Sequence, residues 1–285
     1  MDSRPTTAVI GGGTMGAGIA HVLLAAGSPV VLVEADAARV DAARQAVEAS
    51  VDGAEKRGKL PEGTSRDDLL AHLTLRTSVD ELPDDTALVI EAVPERVDLK
   101  QTVLGGAARA CPAAVLASNT SSLSIGAIAA DLPGDRVIGM HFFNPVPAQK
   151  LVELVVHPGT SEETTAETRG WVEALGKTAI VVNDAPGFAT SRLGLTVGLE
   201  AIRMVEEGVA SPEDIDTGMQ LGYRWPMGPL RLTDVVGLDV RLGIAEELHA
   251  QLGERFAPPE LLRRMVAEGR LGRKSGHGFY EWSER

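Results

Sequence analysis

Two residues with acid–base chemistry stand in apolar company. His141 closes the run VIGM and opens FFNP, and Glu153 lies inside KLVELV. A carboxylate within an apolar strand is costly unless a partner satisfies it. An imidazole on a neighbouring strand would be such a partner. In that pair the carboxylate orients the ring and stabilises its protonated form, while the His acts as general base on a hydroxyl. Spacing alone leaves open an unrelated buried Glu with some other polar neighbour. The remaining histidines read as structural or surface residues. His21 and His249 fall in helical stretches, His72 precedes a strand, His157 ends one before Pro-Gly, and His277 lies in a Gly-rich tail. Cys111 is the only cysteine, so no internal disulfide forms. It has no adjacent His or Arg and reads as a passive thiol of a reducing compartment.

The second constellation is TTAVIGGGTMGAGIAHVLLAAG near the start of the chain. From Ala8 to Gly27 it holds no Lys, Arg, Asp or Glu. It is long enough to span a bilayer. Its run of glycines, however, suits a membrane helix poorly. It reads better as a short buried strand, TAVI, a glycine turn, and a helix ending at Gly27. Gly11, Gly13 and Gly16 have the spacing G-x-G-x-x-G. The first makes a tight turn, the second lets backbone approach a pyrophosphate, and the third lets helix and strand pack closely. The helix N-terminus then offers N–H groups and a partial positive charge to phosphates. Candidate cofactor contacts in this turn are Gly11, Gly13, Thr14, Met15 and Gly16. Glu34 ends the following strand, where an acid accepts hydrogen bonds from an adenosine ribose and repels a 2′-phosphate. No Arg follows it, which favours NAD over NADP. Beside NAD, the His would take a hydroxyl proton as hydride passes to nicotinamide, which is alcohol oxidation.

These residues need a sheet to position them. Apolar runs such as ALVIEAV, AAVLAS, DRVIGMHFF, KLVELVV and KTAIVVN alternate with helix-like stretches, which predicts βαβ units and a mainly parallel, doubly wound sheet. A long helix is expected from Asp36 to about Gly58, and a short one from about Glu62 to Ala71. After NDAPGF the pattern changes. The segments that follow are helix-like and separated by Gly or Pro, with a clear start at Ser211-Pro212-Glu213-Asp214. The expected architecture is α/β: a Rossmann-type domain over 1–186 and an all-helical domain over 187–285. Apolar residues make up 44% of the 285 and charged residues 24%, as in an ordinary globular protein. A net charge of −13 argues against nucleic acid or an anionic membrane surface as partner. No targeting segment and no metal site are expected, and the location expected is cytoplasmic.

Longer motifs carry a resemblance. ASNTSSLSI, HFFNPVPAQKLVELV, DAPGF, VEEGVASPEDIDTGMQLG, PMGPLRLTDVVGLD and LGRKSGHGFYEW resemble the short-chain (S)-3-hydroxyacyl-CoA dehydrogenases, from Gly11 to Trp282. The resemblance implies an NAD-binding domain, a helical C-terminal domain that makes most of a homodimer contact, and an acyl-CoA substrate. It implies that His141 is the catalytic base and Glu153 its acidic partner. Ser121 matches a serine at the substrate's reacting end, and Asn144 falls in HFFNP near the nicotinamide. Glu34, Glu95, Lys100 and Lys274 match NAD-contacting positions. Ser50 and Arg57 match positions on a helical hairpin that hold CoA. The Lys56–Lys59 cluster would then be the local basic patch that anionic CoA phosphates require.

One departure stands out. The family usually carries P-G-F-x-x-N-R, whereas PGFATSRL places Ser191 at the Asn position. A Ser hydroxyl is shorter than an amide and presents no carbonyl. Two other readings remain beside the leading one. The same chemistry could act on a carrier-protein-bound hydroxyacyl group or a free hydroxy acid, or the scaffold could bind NAD without catalysis. Persistence of both His141 and Glu153 speaks against the last. No hydratase domain is expected beside the dehydrogenase motifs.

Overall fold

The computed structural model describes residues 4–282, and the chain divides into two compact units, 1–184 and 185–285. The first is built on one eight-stranded sheet: β1 (Thr7–Ile10), β2 (Val30–Val33), β3 (Leu73–Arg76), β4 (Leu88–Glu91), β5 (Val115–Ser118), β6 (Val137–Phe142), β7 (Leu151–Val156) and β8 (Thr178–Asn183). Their order across the sheet is β3-β2-β1-β4-β5-β6-β7-β8. All neighbouring pairs are parallel except β6 and β7. β1, β2, β4 and β5 are buried at every residue, as parallel strands covered on both faces must be.

Helices α1 (Thr14–Ala25), α2 (Ala37–Glu55), α3 (Arg66–Leu70), α4 (Val97–Ala110), α5 (Ile125–Ile128) and α6 (Glu162–Ala174) complete this unit. Leu23, Leu32, Val47, Ile90 and Ile138 belong to its main core. α2 opens one residue after Asp36, whose side chain caps it by accepting from the Arg39 N–H. α3 starts later than the sequence suggests. Ser65 and Asp68 form a reciprocal capping box, and this fixes the start at Arg66 rather than Glu62. β6 runs one residue past His141, so the imidazole stands inside the ladder rather than in the loop beyond it.

The second unit contains α7 (Thr190–Glu206), α8 (Pro212–Tyr223), α9 (Pro229–Val236), α10 (Leu238–Leu252) and α11 (Glu260–Ala267). Leu195, Leu199, Ile202, Leu238, Leu248 and Leu262 pack in its core. α8 begins as the sequence implies, with the Ser211 side chain accepting from the Asp214 N–H and Pro212 in the first turn. Two carboxylates hold this unit together. Asp216 accepts from the N–H groups of Leu230 and Arg231 and from the Tyr280 hydroxyl. Asp234 accepts from the N–H groups of Phe279 and Tyr280 and from Trp282 Nε1.

Candidate active site

The glycine turn joins β1 to α1. Gly11 has φ 96°, in the left-handed region, and a Cβ there would stand 2.9 Å from the Ala92 carbonyl oxygen. At Gly16 a Cβ would collide with the Gly11 carbonyl, so the turn closes only without one. Gly13 differs, because a Cβ would meet nothing within 4 Å. Its backbone borders open space in front of α1, whose N-terminus has no side-chain cap and no acidic residue in its first turn. Such a turn fits a dinucleotide pyrophosphate. Glu34 is folded over it. One carboxylate oxygen accepts from the Gly12 N–H at 2.7 Å and the other from the Ala35 N–H at 3.1 Å. The acid that would meet a ribose is thus fixed beside the phosphate turn.

His141 and Glu153 face each other directly in the antiparallel β6–β7 ladder. The Nδ1 atom lies 2.8 Å from Glu153 Oε2. Glu153 is fully buried and His141 only 6% exposed. With Nδ1 engaged by the carboxylate, Nε2 is the atom suited to exchange a proton with a ligand. The Phe143 ring lies 4.4 Å from the imidazole, centroid to centroid. Asn119, which the sequence reading did not single out, ties the strands at this point by accepting from the Phe142 N–H.

A second polar cluster forms at the ends of β4 and β5. The Ser121 N–H and hydroxyl and the Thr120 hydroxyl all donate to Glu95 Oε1. Lys100 stands behind them, with Nζ 3.2 Å from Glu95 and 2.9 Å from each oxygen of Glu91. Lys100 is 1% exposed and Glu91 is fully buried. Glu91 also accepts from the Ser118 hydroxyl and the Val93 N–H. Burial pushes the Glu91 carboxyl up, against the opposing pull of Lys100. Glu91 was legible only as an acid ending an apolar strand.

A third group lies on α1 and α2. Ser50 Oγ is 2.7 Å from Nδ1 of the buried His21. Burial lowers the His21 pKa to about 4, helped by the positive charges of Arg57 and Lys177. Arg57 is exposed beyond the end of α2 and leans back on Gly53. Nearby acids on α2, Glu48 and Asp52, are taken by Arg66. The loop after β6, which carries Asn144, is fastened by Lys177. That ammonium donates to the carbonyls of Val146 and Gln149, both at 2.6 Å. Burial lowers its pKa to about 8.

Two expected site residues belong to the second unit. Ser191 lies half-buried in the first turn of α7. Lys274 is exposed and paired with Asp239 at 2.5 Å.

The doubly wound sheet and its glycine turn define a dinucleotide-binding oxidoreductase, with a buried His–Glu pair across β6 and β7 of the same sheet. Comparisons sharpen that class. Residues 6–185 match the family described as 3-hydroxyacyl-CoA dehydrogenase, NAD binding domain, and residues 187–282 match its C-terminal domain. The chain belongs to the 3-hydroxyacyl-CoA dehydrogenase family, and NAD is its cofactor. It is 42% identical to a probable 3-hydroxybutyryl-CoA dehydrogenase of Bacillus subtilis, over 97% of both chains. It is 43% identical to a 3-hydroxybutyryl-CoA dehydrogenase of Mycobacterium tuberculosis, over 99% of both. The crystal structure of an (S)-3-hydroxybutyryl-CoA dehydrogenase from Ralstonia eutropha superposes with a TM-score of 0.90 at 42% identity, covering 98% of this chain and 99% of that one. Among the described residues, no helix is long and apolar enough to cross a membrane.

Proposed function

We propose that the enzyme interconverts short-chain (S)-3-hydroxyacyl-CoA and 3-oxoacyl-CoA, with His141 as the general base. The observation that carries this reading is the His141–Glu153 contact of 2.8 Å, buried in a sheet whose first turn fits NAD. NAD supplies the hydride acceptor. His141 takes the hydroxyl proton at Nε2, and Glu153 holds the ring through Nδ1 and offsets the positive charge that develops. In the reverse direction the imidazolium returns the proton to the forming alkoxide. Ser121, oriented by Glu95, and Asn144, on the loop that Lys177 fastens, border the reacting group. Ser191 supplies one hydrogen bond to the reacting group.

Gly11, Gly13, Thr14, Met15 and Gly16 cradle the diphosphate, with Glu34, Glu95 and Lys274 as further cofactor contacts. Lys100 acts through Glu95, since its ammonium already serves two carboxylates. Ser50 and Arg57 hold CoA. A homodimer through the second unit is supported by large exposed apolar residues there, Leu193, Leu221 and Tyr223. The domain boundary falls near 186, and the enzyme acts in the cytoplasm, as befits its similarity to bacterial relatives and its single buried thiol.

The test is the loss of NADH absorbance with acetoacetyl-CoA and with longer 3-oxoacyl-CoAs. Acetoacetyl-CoA should be reduced with a higher kcat/KM than long-chain substrates. Failure to reduce any 3-oxoacyl-CoA would contradict the reading.

A further inference from the structure

A hydroxyl inside a helix often gives its proton to the carbonyl four residues earlier. Thr102, Thr165, Thr168, Thr196 and Thr233 all do so here. Ser50, on α2, engages a side chain instead. Its Oγ lies 2.7 Å from Nδ1 of His21, on α1. His21 is the one titratable side chain of α1 and is 4% exposed among apolar and small residues. An imidazole in such a place is costly without a partner, and Ser50 is the partner. The pair joins a buried ring to a half-buried serine.

The surroundings keep that ring neutral at ordinary pH. Burial, then the charges of Arg57 and Lys177, lower its pKa to about 4. Acids on the adjoining helices are bound elsewhere. Arg66 takes Glu48, Asp52 and Asp67, and Asp68 accepts from the Ser65 N–H. Lys177 is held by the carbonyls of Val146 and Gln149. Arg57 turns back along α2, since a Cβ at Gly53 would stand 3.3 Å from its Nη2. Gly53 is three residues past Ser50, about 4.5 Å along the axis and on the same face. The guanidinium and the serine hydroxyl therefore stand about one turn apart.

A neutral imidazole carries one proton, and its site decides what Ser50 can do. With the proton on Nε2, Nδ1 accepts from the Ser50 hydroxyl, and the serine offers a ligand only lone pairs. With the proton on Nδ1, the ring donates to Ser50 Oγ, and the hydroxyl proton is left for a ligand. The phosphates and amide carbonyls of CoA are acceptors, which only the second arrangement satisfies.

We propose that His21 is a positioning residue for the acyl-CoA: it donates its Nδ1–H to Ser50 Oγ, and Ser50 donates its own proton to an acceptor oxygen of CoA beside Arg57. This rests on the reading above, in which Ser50 and Arg57 hold CoA.

The tautomer of the ring is the direct readout. In protein labelled with 15N-histidine at pH 7, His21 is assigned by the nuclear magnetic resonance signal missing from His21→Asn. On saturation with CoA, its Nδ1 should carry the proton. A CoA complex with the proton on Nε2 would overturn the inference. The KM for acetoacetyl-CoA is an independent check. His21→Leu, apolar and similar in size, and Ser50→Ala should each raise it about tenfold, the scale of a hydrogen bond to a charged group, with much smaller changes in kcat. The double variant should lose no more than either single one, since the two residues act in series. His21→Asn, whose amide N–H can stand near the place of Nδ1, should restore most of the affinity. Additive losses, or equal losses in His21→Leu and His21→Asn, would mean that the ring only fills space, and would overturn the inference. A rise in KM with Ser50→Ala and none with His21→Leu would overturn it alone. An unchanged KM in both Ser50→Ala and Arg57→Ala would overturn the CoA reading of those residues as well.

Discussion

Two carboxylates in the same sheet are fully buried and serve different ends. Glu153 faces His141 across the β6–β7 ladder, and Glu91 faces Lys100 at the end of β4. Both sit in apolar strands, where a lone carboxylate would be unaffordable. The partner decides what each pair can do. An imidazole changes charge near neutral pH, so the Glu153 pair can pass a proton and be reset. The Lys100 ammonium is held by Glu91 and Glu95 together, so that pair works as a clamp. It fixes Glu95, and through it the Ser121 hydroxyl and N–H. Burial of a charge is therefore no sign of catalysis by itself, and the chemistry lies in the partner's capacity to give up its proton.

Breaking the clamp should cost stability above all. Glu91→Gln leaves Lys100 buried with one half-exposed partner, and loss of one member of a buried pair typically costs about 3–5 kcal/mol. Urea unfolding should show that loss, and an unchanged midpoint would mean the cluster is already compensated by water.

A third buried titratable group sharpens the contrast. His21 is held by a hydroxyl and has cations for neighbours, so its pKa falls to about 4. Between pH 6.5 and 4 the folded protein binds fewer protons than the unfolded chain, so stability declines as the pH falls through that window. His21→Asn should remove about 3 kcal/mol of that decline. Thermal melts at pH 7 and pH 4.5 check this, and an acid limb equally steep in the variant would place the titration elsewhere.

Glu153→Gln should act on rate more than on folding. The imidazolium loses a charged hydrogen bond worth about 1.5–3 kcal/mol, so kcat should fall by roughly tenfold to a hundredfold. Equal losses of stability in the Glu153 and Glu91 variants, with turnover intact in the first, would erase the distinction between the pairs.

The smallest effect concerns the cofactor. Glu34, fixed over the glycine turn, should exclude a 2′-phosphate, giving NADH at least a tenfold advantage in kcat/KM over NADPH, about 1.4 kcal/mol. Equal use of both would remove Glu34 from the ribose site.

Local chemistry made much of this legible in the sequence. Glycine spacing after a strand dictates a phosphate turn, and a Glu inside KLVELV demands a partner. The antiparallel turn between β6 and β7 was not legible, although it sets His141 opposite Glu153. A mainly parallel pattern hides one reversed strand when the loop carries no hairpin signature. Arg241 and His21 were hidden for another reason. DVRLGIAEELHAQLG reads as an ordinary helix, and its buried Arg lies against Gly194 and Gly198 on α7, far along the chain. His21 likewise meets Ser50 only once α1 and α2 pack.

The central claim is that His141 moves the substrate proton. Turnover of acetoacetyl-CoA and NADH affinity should be measured together on His141→Ala. The account predicts a fall in kcat of about 10²–10⁴-fold with NADH binding unchanged. Near-normal turnover in that variant would contradict it.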